Sequence, residues 1–228
     1  MIGAAAIVAV YVLVCRPWMM RWGSTLAERD QPLPGDEIIQ TPALRATRAI
    51  DIMCPPSDVW PWLVQLGYGP DRAGFYSYDW LENLIGLDIH SAARIAPELQ
   101  QVAAGDHIPF GPDTDFRVEL LELQSALVLR VRMHPFTGRD VLDRSSRLWL
   151  DWTWSFALRP KGQVTRLLVR TRGAWSHRLL SLLIQPLLEP VHFVMERRML
   201  LGIRDRAEGS VDATRSSSVG HLEGGTHA

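Results

Sequence analysis

Alternation of apolar and polar residues dominates the middle of the chain. Trp152, Trp154 and Phe156, for example, are separated by single polar residues. The same period of two recurs in four runs, at residues 116–120, 127–132, 148–158 and 166–172. Such alternation is typical of antiparallel strands that bury one face and leave the other in water. The pattern therefore predicts four neighbouring antiparallel strands.

A different pattern precedes these strands. Residues 44–53 predict a first strand, and a short helix follows, capped by Ser57 or Asp58 and ended by Gly67. The next stretch, residues 69–105, is irregular and rich in aromatic residues. We expect two short helical pieces in it, at residues 78–85 and 92–102.

After the strands, apolar residues return at helical spacing. They predict one long helix from Ser176 to about Arg206, in which Pro186 and Pro190 should kink or break the first half. Beyond it, residues 208–228 are rich in Ser and Gly and predict a disordered tail. Consecutive strands with helices gathered on one side are the signature of an α+β fold.

The N-terminal segment is apolar and resembles a membrane anchor. Residues 1–22 begin with an uncharged run and end with Arg16 and Arg21 beside two tryptophans, which predicts a single transmembrane helix. A signal peptide, a lipoprotein signal and a buried helix are the alternatives. With both arginines after the anchor, the positive-inside rule places the remainder of a single-pass cell-membrane protein in the cytoplasm. Residues 23–43, with several Pro and Gly, predict a linker.

Composition narrows the range of functions. The formal net charge is −1, which disfavours nucleic acid as a partner because that binding needs a basic face. The only two cysteines, Cys15 and Cys54, form neither a disulfide framework nor a zinc motif. Metal-ligand clusters, phosphate-binding loops and nucleophile motifs are absent from the sequence, so we predict neither a metal nor a cofactor.

Five strings resemble one known superfamily. Residues 46–52 read ATRAIDI, 55–65 read PPSDVWPWLVQ, 74–82 read GFYSYDWLE, 97–100 read PELQ and 189–200 read EPVHFVMERRML. They resemble the START/polyketide-cyclase superfamily (SRPBCC), and within it an actinobacterial-type, membrane-anchored subgroup. The resemblance covers residues 44–207. It implies a helix-grip fold, in which a curved antiparallel sheet wraps around a long C-terminal helix and encloses a deep apolar pocket.

That fold suggests which side chains would line the pocket. The candidate ligand-binding residues come from the aromatic stretch, one strand and the last helix: Phe75, Tyr76, Tyr78, Trp80, Trp152, Trp154, Phe156, His192, Met195 and Met199. Apolar walls with few polar groups are typical of small-molecule sites. The alternative is that these residues are simply core.

Some charged residues allow a further reading. Glu189, His192 and Glu196 share one helical face, so His192 could act as a general base in an enzyme or could simply be satisfied by its neighbours. We also expect a buried pair between Asp79 and Arg94 to hold the aromatic stretch. Three other arginines are expected to be solvated or paired with acids rather than ligand-binding: Arg48, Arg130 and Arg170.

Three functions remain open. The first is binding or carrying a hydrophobic molecule (a lipid, a quinone or a polyketide-like compound) at the membrane. The second is a cyclase or dehydratase that acts through a pocket acid or base. The third is an interaction protein with a filled core. Fold alone does not decide among them.

Overall fold

A computed structural model describes the backbone of residues 3, 6, 9–84, 86, 88–141 and 146–223. Its six strands form one antiparallel sheet in the order β1-β6-β5-β4-β3-β2. They are β1 (Leu44–Ile52), β2 (His107–Gly111), β3 (Thr114–Glu122), β4 (Ala126–Met133), β5 (Leu150–Lys161) and β6 (Val164–Trp175). The helices are α1 (Arg16–Arg21, preceded by a π-helical turn at Tyr11–Cys15), α2 (Leu26–Asp30), α3 (Pro56–Val64), α4 (Asp79–Leu84) and α5 (Arg178–Glu223), with a 3₁₀ turn at Pro97–Leu99.

The alternating pattern decides which side chains form the core. Along β5, Trp152, Trp154, Phe156 and Leu158 point to the inner face, which α3 and α5 cover. Their neighbours point to the outer face, where Ser155, for example, bonds the Pro34 carbonyl. The predicted strands are confirmed, and the antiparallel sheet packed against a long C-terminal helix agrees with the helix-grip fold that the superfamily resemblance implies. The short edge strand β2 is additional, because five residues that include Pro109 and Gly111 carry too little alternation to predict it.

Helix boundaries differ from the prediction in two places. Helix α3 begins at Pro56, so Ser57 and Asp58 lie in its first turn and neither caps it. Residues 92–102 hold only the 3₁₀ turn Pro97–Leu99. The helix predicted at residues 78–85 is confirmed as α4, although Ile85 itself lies outside the described residues.

Helix α5 does not break at its prolines. A proline at position 190 leaves the carbonyl of Pro186 without its usual helical donor. The hydroxyl of Tyr11 donates to that carbonyl at 3.3 Å and satisfies it from outside the helix. The N-terminal segment therefore helps the helix to continue through a position where the sequence predicts an interruption.

The same helix continues beyond the end predicted for it. We expected disorder from Glu208 onward, yet α5 extends to Glu223. Ala207 is buried in the core, and the Glu208 carboxylate accepts a hydrogen bond from the Met53 amide, which links the helix to the end of β1. These contacts explain why the helix passes Arg206. Residues 224–228 lie outside the described residues.

Residues 23–42, here called the N-terminal strap, cross the outer face of the sheet. Arg170 of β6 is fully buried beneath the strap and binds Asp36 at 2.5 Å and three strap carbonyls. Arg172 also reaches Asp36, and Arg166 binds Glu28. The Arg166 guanidinium, hydrogen-bonded to Glu28, lowers the pKa of that carboxyl to about 2. The sequence predicts a linker at residues 23–43 but not its packing against the sheet, because the partners of these residues lie more than a hundred positions away.

Apolar contacts reinforce the strap. Leu33 packs with three outward-facing residues of the sheet: Ala49, Ala157 and Leu168. Gly35 lies so close to the sheet that a Cβ atom there would approach Val128 Cγ1 to 2.6 Å, and its backbone has a φ of +87°. Both features favour glycine at this position.

The predicted anchor is described only in part. Residues 1, 2, 4, 5, 7 and 8 lie outside the described residues. Within the described part of the chain, the structure contains no helix with the length and apolar character needed to cross a membrane. Helix α1 packs onto the domain, where Met19 is buried and its carbonyl accepts a hydrogen bond from Arg48.

Candidate ligand-binding site

Five aromatic rings form a continuous series across the inner face of the sheet. Phe75 contacts Phe110 of β2 at 5.2 Å between ring centroids, and Phe110 contacts Phe116 of β3 at 4.7 Å. Trp154 of β5 then lies 6.3 Å from Phe110 and 5.0 Å from Phe156. Most of these pairs meet edge to face or tilted, as aromatic rings prefer. We call this set the aromatic row.

The aromatic row ends at α5. The ring of His192 lies 6.2 Å from Trp154 and 5.1 Å from Trp152, in both cases edge to face. Solvent reaches the series at Phe110, which is 37% exposed, and at the His192 side chain, which is 23% exposed. Phe75 and Phe156 are buried. The site is thus an apolar wall accessible at its edges.

A buried polar cluster lies beside His192. Arg48 points inward from β1, and its Nη1 is 2.6 Å from Glu196 Oε1 on α5. The other carboxylate oxygen accepts hydrogen bonds from Trp154 Nε1 at 2.8 Å and from Thr171 Oγ1 at 3.2 Å. Glu196 therefore has partners on three strands and anchors α5 to the middle of the sheet.

Charge and burial oppose each other in this cluster. Burial disfavours the carboxylate of Glu196, but the charge of Arg48 and the hydrogen bonds outweigh it, so the pKa of Glu196 lies below its usual value. Burial lowers the pKa of His192 to about 4, against the attraction of Glu196. At neutral pH the cluster thus contains a carboxylate, a guanidinium and an uncharged imidazole.

Both nitrogens of His192 have partners. Arg48 Nη1 lies 3.3 Å from Nδ1, and Glu196 Oε2 lies 3.3 Å from Nε2. Since Arg48 can only donate, Nδ1 accepts, and the proton of the neutral ring belongs on Nε2 facing the carboxylate. This tautomer follows from the hydrogen-bond network. It leaves His192 as a satisfied histidine, which is one of the two roles expected from the sequence.

One donor of the cluster has no protein partner. Arg48 is fully buried. Its Nε donates to the Met19 carbonyl, and its Nη1 donates to the Glu196 carboxylate. Its Nη2 is buried without a hydrogen-bond partner among the described residues. A buried donor of this kind favours an oxygen acceptor supplied by water or by a bound molecule.

The remaining aromatic candidates line a cleft apart from the aromatic row. A cleft of about 370 Å³ lies between the 69–105 stretch and α5. It is lined by Tyr76, Ser77, Tyr78, Asp79, Trp80, Ser91, Arg198 and Arg206. Trp80 is 68% exposed at its rim. The ten residues predicted from sequence are therefore not one site, because Tyr76, Tyr78 and Trp80 are separate from the aromatic row.

Tyr76 is fixed from several directions. Its backbone has a φ of +54°, which is unusual for a residue other than glycine. The hydroxyl accepts a hydrogen bond from Gln65 at 2.7 Å, the guanidinium of Arg206 lies 4.5 Å from the ring centre, and the backbone amide donates to Ser91. Burial raises the pKa of Tyr76. This over-determination keeps one wall of the cleft in place.

The expected Asp79–Arg94 pair is not formed. Asp79 accepts hydrogen bonds from the backbone amide and the hydroxyl of Ser91, at 2.7 and 2.6 Å, while Arg94 is exposed. The carboxylate does hold the 69–105 stretch together, as expected, but through a serine. A backbone amide is a partner that no charge pattern in the sequence reveals.

Other predicted residues have simpler positions. Met199 is buried in the core, and Met195 is half-buried. Arg130 forms a two-bond pair with Asp151 on the outer face. Arg48 and Arg170 are paired with acids, which is one of the two expectations, and the acids are Glu196 and Asp36. Both arginines are fully buried, so neither is solvated.

Sequence reasoning missed the central part of the site. Arg48 was not connected with Glu196, and neither Phe110 nor Phe116 was a candidate. A usable signal exists for Arg48, which occupies an inward position of β1 between Ala46 and Ile50. A charge at such a position requires a buried partner.

Metal binding has no candidate group in this region. Within the residues that the structure describes, His, Cys, Asp and Glu side chains form no cluster of three or more that could hold a metal ion. Cys54 is buried, which raises the pKa of its thiol to about 11 and makes it a poor ligand or nucleophile.

Comparisons with known proteins give similarity in fold only. No protein-family model matches the chain, and a search of curated proteins gives no significant match. A solution structure of a protein from Arthrobacter aurescens is 13% identical, with a TM-score of 0.42, over 73% of this chain and 87% of that one. A polyketide-cyclase-like protein from Corynebacterium glutamicum is 15% identical, with a TM-score of 0.31, over 81% of this chain and 96% of that one.

A third solved structure is that of a protein from the dynemicin biosynthetic locus. It is 16% identical, with a TM-score of 0.38, over 68% of this chain and 45% of that one. At such values the similarity carries no conclusion about ligand or activity. The fold assignment rests on the strand order and on the packing of α5 against the inner face.

Proposed function

We propose that this protein binds an apolar small molecule against the aromatic row and does not transform it. A lipid, a quinone and a polyketide-like compound all fit this description. The observation that carries the proposal is the combination of an aromatic wall with a buried donor at its end, Arg48 Nη2, which has no partner among the described residues. Apolar walls with few orienting polar groups are the usual composition of ligand sites.

The charge state of the polar cluster supports binding over catalysis. A cyclase or dehydratase would need an acid or base that reaches its substrate. Both nitrogens of His192 have protein partners, and Glu196 is bonded by Arg48, Trp154 and Thr171. In this geometry the cluster orients a ligand carbonyl or hydroxyl through Arg48 and transfers no proton.

Native mass spectrometry of the full-length protein, followed by solvent extraction, tests this function directly. We expect a co-purifying apolar molecule of defined mass, released on unfolding. A quinone or another carbonyl compound would agree with the free donor on Arg48. A protein that is empty and also fails to bind N-phenyl-1-naphthylamine would contradict the proposal and favour the filled-core alternative.

A pair of variants locates the site. Phe110→Ala removes the exposed member of the aromatic row, and we expect about fivefold weaker binding of N-phenyl-1-naphthylamine, equivalent to one aromatic contact of about 1 kcal/mol. Phe136→Ala is the matched control, because Phe136 is 66% exposed and is no part of the row. Equal affinities for the two variants would place the probe elsewhere, with the cleft beside Tyr78 and Trp80 as the next region to test.

A further inference from the structure

Exposed apolar side chains are concentrated at one end of the molecule. Eleven of the nineteen large apolar residues that are exposed in the described part of the chain lie in two segments. In the first, the exposed residues are Val10, Val12, Leu13, Val14 and Trp18, at 49–73%. In the second, the exposed residues are Leu179, Leu182, Leu187, Leu188, Val191 and Val194. Isolated apolar residues on a surface are ordinary, but a contiguous group of this size marks an interaction site.

The two segments, residues 9–18 and 179–194, are joined and are here called the apolar helix pair. Tyr11 donates to the Pro186 carbonyl. Arg16 forms two hydrogen bonds with Glu189, at 2.7 and 2.8 Å, and Trp18 packs edge to face on Phe193 at 5.0 Å. The exposed residues therefore belong to a single surface made from both ends of the chain.

Helix α5 changes character along its length. After Met195 its apolar residues enter the core, where Met199 and Ile203 are almost completely buried. Before Met195 the polar side chains turn inward instead, since Ser181 bonds Gln185 and Gln185 bonds the Ala43 carbonyl. This first half of α5 thus places apolar groups outside and polar groups inside, the reverse of the usual arrangement at a surface in water.

The pattern of exposure fits a bilayer. Successive residues are exposed at Val12–Val14 and again at Leu187–Leu188, so apolar groups extend around the helices rather than along one stripe. A docking protein would cover a stripe, whereas lipid surrounds a helix. Residues 9–18 and 179–194 contain one acid, Glu189, which is buried and is neutralised by the partly exposed Arg16.

The base of the apolar helix pair has the residues that membrane interfaces favour. Trp18 is half exposed, and the guanidinium of Arg197 lies 5.0 Å from the ring centre of Trp22. Arg21 is exposed beside them, and Arg16 is 40% exposed. Tryptophan and arginine together at one level are typical of the head-group region, where arginines meet anionic phosphates.

We propose that the apolar helix pair inserts into the acyl region of a lipid bilayer, with Arg16, Arg21 and Arg197 against anionic head groups. A helix of the length of 179–194 is about 24 Å long, which allows insertion into one leaflet. The surface is made partly from the helix that covers the ligand site, which distinguishes it from an anchor at the N-terminus alone. The proposal does not depend on the nature of the ligand.

Vesicle flotation with the full-length protein tests the proposal. The vesicles are phosphatidylcholine alone, or phosphatidylcholine with a quarter phosphatidylglycerol. We expect the protein to float with both and more strongly with the anionic vesicles. The triple variant Leu182→Gln/Leu187→Gln/Val191→Gln should bind at least about tenfold more weakly, because three inserted side chains become polar. The control Leu84→Gln/Leu123→Gln changes exposed apolar residues outside the apolar helix pair, and it should bind like the wild type.

Two further measurements distinguish a bilayer from another molecule bound to the apolar helix pair. Vesicles with brominated acyl chains should quench tryptophan fluorescence of the wild type, and less in Trp18→Leu. Arg21→Gln should reduce binding to anionic vesicles only. A triple variant that folds and floats like the wild type would overturn the proposal. So would a wild type that stays unbound and forms a dimer that the triple variant abolishes, since a second copy would then cover the surface.

Discussion

Arg48 and Glu196 form an ion pair that is almost completely removed from solvent, although 148 positions separate them in the sequence. The pair connects the first strand to the last helix and lies at the end of the aromatic row. Burying two charges is costly, and the pair persists because Met19, Trp154 and Thr171 supply additional hydrogen bonds.

Removing one partner of this pair should destabilise the fold strongly. Glu196→Gln keeps an acceptor for Trp154 but leaves the charge of Arg48 uncompensated, and we expect a loss of about 3 kcal/mol in the free energy of unfolding. Arg48→Met should cost a similar amount. The double variant should be less destabilised than the sum of the two, as measured by urea denaturation.

An exposed pair is the control for this cycle. Asp205 is half exposed and pairs with Arg204 at 3.0 Å, so Asp205→Asn should change stability by less than about 0.5 kcal/mol. Additive effects of the Arg48 and Glu196 variants would show that the two charges do not interact in solution.

The depressed pKa of His192 predicts an acid-sensitive domain. The folded protein binds the His192 proton only near pH 4, whereas the unfolded chain binds it near 6.5. Stability is therefore present in full above pH 6.5 and falls as the pH decreases towards 4. The loss should be about 2 kcal/mol, since solvent reaches part of the ring.

Denaturation curves at several pH values measure this dependence. His192→Gln cannot take up the proton, so its stability should vary less between pH 6.5 and 4 than that of the wild type. The same slope in both proteins would assign the acid sensitivity to another group.

The N-terminal strap should loosen when Arg170 is replaced. Arg170→Met removes the hydrogen bonds to Asp36 and to three strap carbonyls, and we expect a loss of about 3 kcal/mol in the free energy of unfolding. Trypsin should then cleave after Arg29 faster than in the wild type. Arg45→Met is the control, because Arg45 is exposed and contacts only the Arg29 carbonyl of the strap. Equal cleavage rates in both variants would contradict a role for Arg170.

Two glycines of α5 should respond oppositely to alanine. A Cβ atom at Gly202 would approach the Tyr76 carbonyl oxygen to 2.4 Å, so Gly202→Ala must separate the helix from the 69–105 stretch and should cost about 1–3 kcal/mol. Nothing lies within 4 Å of a Cβ at Gly209, and Gly209→Ala should be neutral or stabilise by up to about 1 kcal/mol. Thermal unfolding compares the two, and a neutral Gly202→Ala would show that the contact yields easily.

Local patterns were sufficient for most of the sheet. The inward positions of β5 and β6 follow directly from the alternation around Trp154 and Val169, since a strand offers only two faces. The edge strand β2 and the continuous course of α5 through Pro186 escaped prediction, because each depends on a contact with another part of the chain.

The candidate site was predictable only in its apolar part. Trp152, Trp154 and His192 meet as expected, but the partner of Arg48 depends on how α5 crosses the sheet. Sequence spacing brings His192 and Glu196 together on one helix, but it does not indicate that Arg48, 148 residues before Glu196, is the partner of that carboxylate. Long-range polar contacts of this kind cannot be predicted from a single sequence.

The strap and α1 also bear on how this protein is made. Both leave the ribosome more than a hundred residues before their partners Arg166, Arg170, Arg172 and Glu189. The first strand likewise cannot pair until β6, its neighbour in the sheet, has been synthesised. These earlier segments therefore remain without their native contacts until α5 has been synthesised. Chains with such long loop closures fold slowly, and apolar segments that stay exposed during that interval favour aggregation.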